Sequence, residues 1–160
     1  MEDDRLRALT VRQPWAGAIL WAGKDVENRT RPVSYRGLLL IHAGLAETDW
    51  HDFLTVRDTA ERPVEWNDER RARGVILGAV EVTGCHHAAD CGGQDRQDGR
   101  RLPWRCCSRW GMRDQHHIVL ANPRPLAEPV PCRGMLGLWR LPEDVEKMVR
   151  AQLGEDGNHA

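Results

Sequence analysis

Several things are scarce in this chain. No apolar run approaches the ~18 residues that a membrane span needs, so a membrane partner is not expected. Lysine appears only at Lys24 and Lys147, and tyrosine and phenylalanine once each. The five cysteines include no Cys-x-x-Cys pair, and neither internal repeats nor low-complexity segments occur. The N-terminus, Met1-Glu2-Asp3-Asp4, lacks the positive-then-apolar layout of a secretion signal. The expectation is a cytoplasmic protein whose cysteines are reduced thiols. What is present, 160 residues that are 41% hydrophobic and 29% charged, describes one globular domain over residues 1–160 with a single core.

The net charge of −1 hides a segregated pattern. Between Arg5 and Arg36 seven basic residues (Arg5, Arg7, Arg12, Lys24, Arg29, Arg31, Arg36) face two acids, Asp25 and Glu27. Between Arg100 and Arg140 eight arginines face Asp114 and Glu128. The stretch from Glu47 to Glu69 is acidic, as is the tail from Glu143. If the two basic segments fold together they form a cationic groove suited to a polyanion; if neighbours neutralise each other, the surface is mixed and carries no such message.

Ala8 to Arg12 alternates and reads as a strand. Pro14 then suits the first turn of a helix. Trp15, Ala18, Ile19 and Ala22 fall on one face of that helix, which Gly23 stops. Leu38 to Ala43 and "GVILGAVEVTG" at 74–84 read as buried strands. Between them Trp50, Phe53, Leu54 and Arg57 describe an amphipathic helix, which the charged stretch from Glu61 to Gly74 extends or follows with another. Residues 88–103, with Gly92-Gly93 and Asp98-Gly99, read as a flexible loop. His117 to Asn122 and Met135 to Arg140 are further strands, joined by an extended connection whose four prolines forbid a helix. Pro142 opens a C-terminal helix over 142–153, with Glu143 and Asp144 complementing its N-terminal dipole. The expected class is α+β, a small closed or half-closed β-barrel flanked by helices.

The stretch "LTVRQPWAGAILWAGKDVENRTRPVSYRGLLLIHAG" resembles the ASCH (activating signal cointegrator homology) domain, a member of the PUA-like superfamily. The resemblance runs from Leu9 to Gly44 and resumes in "GVILGAVEVTG" and "HHIVLANPRPL…GMLGLWRL". Its hallmark is Gly-x-Lys-x-x-Glu-x-Arg; Lys24, Glu27 and Arg29 hold the charged positions, while Ala22 replaces the glycine and Gly23 follows one residue late. The resemblance implies a PUA-like barrel of about five to seven strands, with the first helix and the motif lining a nucleic-acid cleft. It also implies alternatives on that fold: ribonuclease or nucleoside amidohydrolase activity, or a coactivator-like module that binds protein. Relatives that hydrolyse acylated nucleosides are taken to place a threonine three residues after the lysine, where this chain has Glu27. No catalytic set is therefore assigned; in an enzyme Lys24 and Glu27 would be the candidates.

On the binding reading, Lys24 at the cleft mouth and Arg29 grip phosphate or a base edge, and Glu27 accepts from a base amino group or orients Arg29. Arg12, Arg36, Arg105 and Arg109 widen the positive field, with Gln13 and Asn28 beside the anchors. Against this, a Lys24–Glu27 or Glu27–Arg29 pair could simply pin the turn. Trp110 lacks apolar periodicity and sits among arginines, so it is expected as a stacking platform or cleft wall. The pattern leaves Trp15 and Tyr35 open between core and cleft, and assigns Trp50 and Trp139 to the core. RNA and DNA are equally suited, with phosphate contacts dominating, and a basic protein could meet the acidic stretch at 49–69.

No cofactor is expected, and no metal. Cys85, His86, His87 and Cys91 lie close together, with Cys106-Cys107 after the loop, and their ligand types suit zinc. The spacing is not that of paired structural sites, and adjacent ligands rarely both reach one ion. Buried thiols and loop histidines are the expectation. Of His116 and His117 at most one faces any cleft, and His42, inside an apolar strand, is expected as a hydrogen-bonded core residue.

Overall fold

The computed structural model describes residues 3–91 and 106–154. Its elements in chain order are β1 (Arg7–Val11), α1 (Trp15–Trp21), β2 (Val26–Arg29), β3 (Gly37–Ala43), α2 (Trp50–Thr59), β4 (Val75–His87), a 3-10 turn (Ala88–Asp90), β5 (His116–Pro131), β6 (Leu138–Arg140) and α3 (Glu143–Leu153). The six strands form one curled sheet, ordered β2-β5-β4-β3-β1-β6. With three helices this is an α+β half-barrel. The β1–β3 pair is parallel, with Leu9 opposite Ile41, and the other pairs are antiparallel.

Period-two alternation decides which side chains meet which layer. Leu9, Val11, Leu39 and Ile41 face α1, joining Ile19, Leu20, Ile118 and Leu120 in one core cluster. Their neighbours Ala8 and Leu40 face the opposite side, where Val145, Val149 and Leu153 of α3 close a second. A third, smaller cluster gathers Ala18, Val26, Val56 and Trp110 beneath α1. The first helix is thus buried on more than the single face its spacing showed, from Ala16 through Leu20. Gly17 permits this: any Cβ there would stand 2.5 Å from the Trp66 ring and 2.8 Å from the Arg70 carbonyl.

Four expectations need correction. Trp50 is 70% exposed, because it opens α2, a helix that buries only Val56. Residues 61–74 form turns instead of a helix; α2 ends at Thr59, and Pro63 follows shortly. The connection holding the four prolines is extended, but as part of a strand and not a linker, since β5 runs on to Pro131 before the chain leaves the sheet. It accommodates its prolines beside irregularities in the β4–β5 register, as sheets do. The last strand is only Leu138–Arg140, with Met135 and Leu136 exposed at 62% and 98%. Most of the loop expected at 88–103 lies outside the described residues.

Candidate functional site

The hallmark charges sit where α1 hands over to β2, an edge strand. Gly23 adopts φ +74°, a left-handed turn that a residue without a Cβ takes at little cost. The Lys24 amide then donates to the Ala18 carbonyl at 3.1 Å, closing the helix. This folds the lysine inward, to 4% exposure. Its ammonium donates to the Val26 carbonyl and to Glu27 Oε2 at 3.3 Å. Glu27 Oε1 lies 3.6 Å from Arg29 Nε, an ion pair beyond hydrogen-bonding distance, and that Nε is buried with no hydrogen-bond acceptor. Arg29 Nη2 donates to the Thr10 carbonyl at 2.9 Å, tying β2 to β1.

Two hollows meet at Arg29 and Thr30. One, about 500 Å³, is walled by Arg12, Trp15, Glu27, Asn28 and the 44–46 turn, with Gln115 across it. The other, about 640 Å³, has Arg7, Arg31, Tyr35, Leu9 and Ile118 along its sides. Together they present Arg7, Arg12, Arg29 and Arg31 against the single carboxylate of Glu27, which already serves Lys24 and Arg29. Arg12 pairs with Asp52 at 2.9 Å and Arg7 with Asp3 at 3.4 Å; Arg31 makes no ion pair with a described residue. In the second hollow the Tyr35 hydroxyl donates to the Leu38 carbonyl. Burial pushes its pKa above the usual 10.0, with nearby Arg7 opposing.

The other expected residues disperse. Lys24 lines neither hollow, so it does not stand at a cleft mouth; its charge is spent on Glu27. Gln13 is also internal, donating to the Arg70 and Ala72 carbonyls while accepting from the Gly17 amide. Trp110 is 7% exposed in the third core cluster, too buried for a stacking platform, although its edge forms part of the wall of a depression away from Arg29. Arg109 lies in a separate depression beside Asp25 and Glu61, paired with Glu61 at 3.2 Å. Arg36 is exposed and donates to the Val33 and Tyr35 carbonyls. Arg105 lies outside the described residues. Among those described, Arg140 of the second basic segment stands opposite Arg7 and shares Asp3 with it, but no arginine of that segment lines the hollows at Arg29. Sequence reasoning counted Arg7 and Arg31 in the basic segment but did not choose them; alternation from Arg29 along the chain would have reached Arg31.

A different constellation stands one strand further in. Asn28, His117 and His86 occupy one row across β2, β5 and β4. Asn28 Nδ2 donates to the Trp110 carbonyl at 2.9 Å, and its Oδ1 accepts from the Met112 amide at 2.8 Å. His117 Nε2 lies 2.7 Å from the Met112 carbonyl, so that nitrogen carries the proton and donates. This row pins the 106–112 loop over β5. Cys91 and Cys107 approach from either side, and their sulfurs with His86 and His117 nitrogens all lie within 4.8 Å of one another. The expected separate thiols and loop histidines are therefore gathered at one point. Cys85, one residue from His86 on β4, packs instead against the α1-side core. His42 is the hydrogen-bonded core residue expected, 3.2 Å from Thr10 Oγ1 and 2.7 Å from the Cys132 carbonyl.

Fold and site together describe a small α+β half-barrel whose sheet edge carries a cationic double hollow. The family model of the ASCH domain matches residues 9–130, and the chain belongs to that family. The matched span includes both hollows' β2 wall and the His/Cys cluster, and stops before β6 and α3. No helix among the described residues is long and apolar enough to cross a membrane.

Proposed function

We propose that this protein binds nucleic acid, RNA or DNA, in the two hollows that meet at Arg29. The observation that carries this reading is the charge there: four arginines line the hollows against the one carboxylate of Glu27. Although Asp3 and Asp52 offset Arg7 and Arg12 from outside, Arg29, which shares Glu27 with Lys24, and Arg31 leave a net positive surface. Arg29 and Arg31 serve as phosphate or base anchors, Arg7 and Arg12 extend the field, and Trp15 offers a half-buried wall against which a base can stack. Glu27 and Lys24 act one step back, holding β2 so that Arg29 faces the opening. Membership of the ASCH family supports the same class of ligand.

Binding of this kind is dominated by phosphates and weakens with salt, with log K falling by about 0.7 per contacted phosphate per decade for single strands and about 0.9 for duplex. Fluorescence anisotropy against single-stranded RNA, single-stranded DNA and duplexes, each across a salt series, measures it. Arg31→Ala should weaken binding and lower the slope by roughly one phosphate. Affinity for every oligomer that is negligible or indifferent to salt would remove the proposal.

A further inference from the structure

We propose that His86, Cys91, Cys107 and His117 form a closed zinc site that staples the 106–112 loop to the β4–β5 pair. The distances are those of a ligand shell. His86 Nε2 lies 3.0 Å from Cys91 Sγ and 3.3 Å from Cys107 Sγ, and His117 Nδ1 lies 3.2 Å and 3.6 Å from the same two sulfurs. Bond lengths of ~2.0–2.1 Å to nitrogen and ~2.3 Å to sulfur put tetrahedral nitrogen–sulfur edges near ~3.5 Å, which these side chains reach by parting a few tenths of an ångström.

The proton count favours a cation at the centre. Because His117 Nε2 donates to the Met112 carbonyl, its Nδ1 is left as a lone pair, the arrangement that second-shell carbonyls impose on ligating histidines. That single lone pair is approached by Cys91, Cys107 and, at 3.7 Å, Cys106. It can accept a proton from only one of them. Zinc resolves the conflict: as it binds, both ligating thiols lose their protons, the two thiolates balance the dication, and both imidazoles coordinate as neutral ligands. Two sulfurs and two nitrogens in a compact tetrahedron suit zinc over harder cations. Four protein ligands leave no open position, so the metal is structural.

The fold explains why the motif escapes spacing rules. The two histidines come from opposed positions on β4 and β5, His86 across from His117. Cys91 follows the 3-10 turn, and Cys107 enters from beyond the intervening chain. Cys106 packs on Gly111, where an added Cβ would come within 1.9 Å of its sulfur, and so stands behind the site as its neighbour ligates.

The test uses the full chain, purified without chelator and assayed for metal by mass spectrometry of the elements. One zinc per chain is expected. Cys91→Ser and Cys107→Ser should lose it, while Cys85→Ser, Cys106→Ser and Cys132→Ser keep it. Should the ligand variants fail to fold, the wild-type protein still decides. Stripped with chelator and titrated with cobalt(II) alone, it should show the intense visible bands of tetrahedral cobalt with thiolate charge transfer, saturating at one equivalent. Its melting temperature should fall by several degrees on stripping and return with zinc. Wild-type protein that binds no metal stoichiometrically, or that joins Cys91 to Cys107 in a disulfide, overturns the proposal.

Discussion

Two polar clusters stand on adjacent strands of one sheet and are built in opposite ways. Around Lys24, Glu27 and Arg29 the buried ammonium and carboxylate meet each other, and the second cation, Arg29, is left over with one end turned toward the opening. Around His86, Cys91, Cys107 and His117 the groups that face each other are two imidazole nitrogens and two thiol sulfurs, with no carboxylate or cationic side chain among them. The paired Lys24 and Glu27 act as a frame, whereas the second cluster is the one proposed above to hold a metal. The hallmark lysine belongs to the frame, and the cationic hollows lie where the motif's last member, Arg29, remains 35% exposed.

Lys24→Met tests the frame most severely. Glu27 would lose its closest cation inside the protein, and breaking a buried pair from one side costs about 3 kcal/mol or more, read as a lower urea midpoint with unchanged slope. A cost below about 1 kcal/mol would place the pair among exposed ones and blur the contrast. Asn28→Ala cuts the bridge between the clusters, removing hydrogen bonds to the Trp110 carbonyl and from the Met112 amide. We expect a loss of about 2 kcal/mol, with faster amide exchange at Met112 as its particular signature.

The third and smallest effect concerns a buried histidine outside both clusters. His42 is satisfied by Thr10 and the Cys132 carbonyl, and burial pushes its pKa below 6.5, the carbonyl opposing. A folded pKa below the unfolded one means that His42 contributes its stability in full above about pH 6.5 and loses it as pH falls through the folded value. Melting temperatures of wild type and His42→Gln, both stripped of metal, should therefore converge as pH drops below 6.5. Parallel curves would show that His42 is not desolvated as its surroundings imply.

Sequence pattern located the elements well where apolar residues lie close along the chain. The β-branched and apolar runs of β1, β3 and β4 and the i, i+3, i+4, i+7 spacing of α1 mark them even though β1, β3 and α1 are buried on more than one face. It failed where neighbours distant in sequence decide. Trp110, with no apolar neighbours along the chain, was expected as a stacking platform or cleft wall and is mostly core, with only its edge in a depression, because Ala18, Val26 and Val56 arrive from elsewhere. Trp50, with periodic neighbours, was expected in the core and is exposed. Lys24 looked like a free anchor because nothing in its spacing reveals that Gly23 turns it under the helix.

By itself the sequence determined the family, the strand-and-helix composition and the concentration of arginine around β2, since each follows from residues close along the chain. Only the tertiary structure decided which of those charges reach solvent, that the hollows draw their arginines from the first basic segment, and that two histidines and two cysteines converge. Those are consequences of strand register and loop placement, which bring together atoms that no local spacing relates.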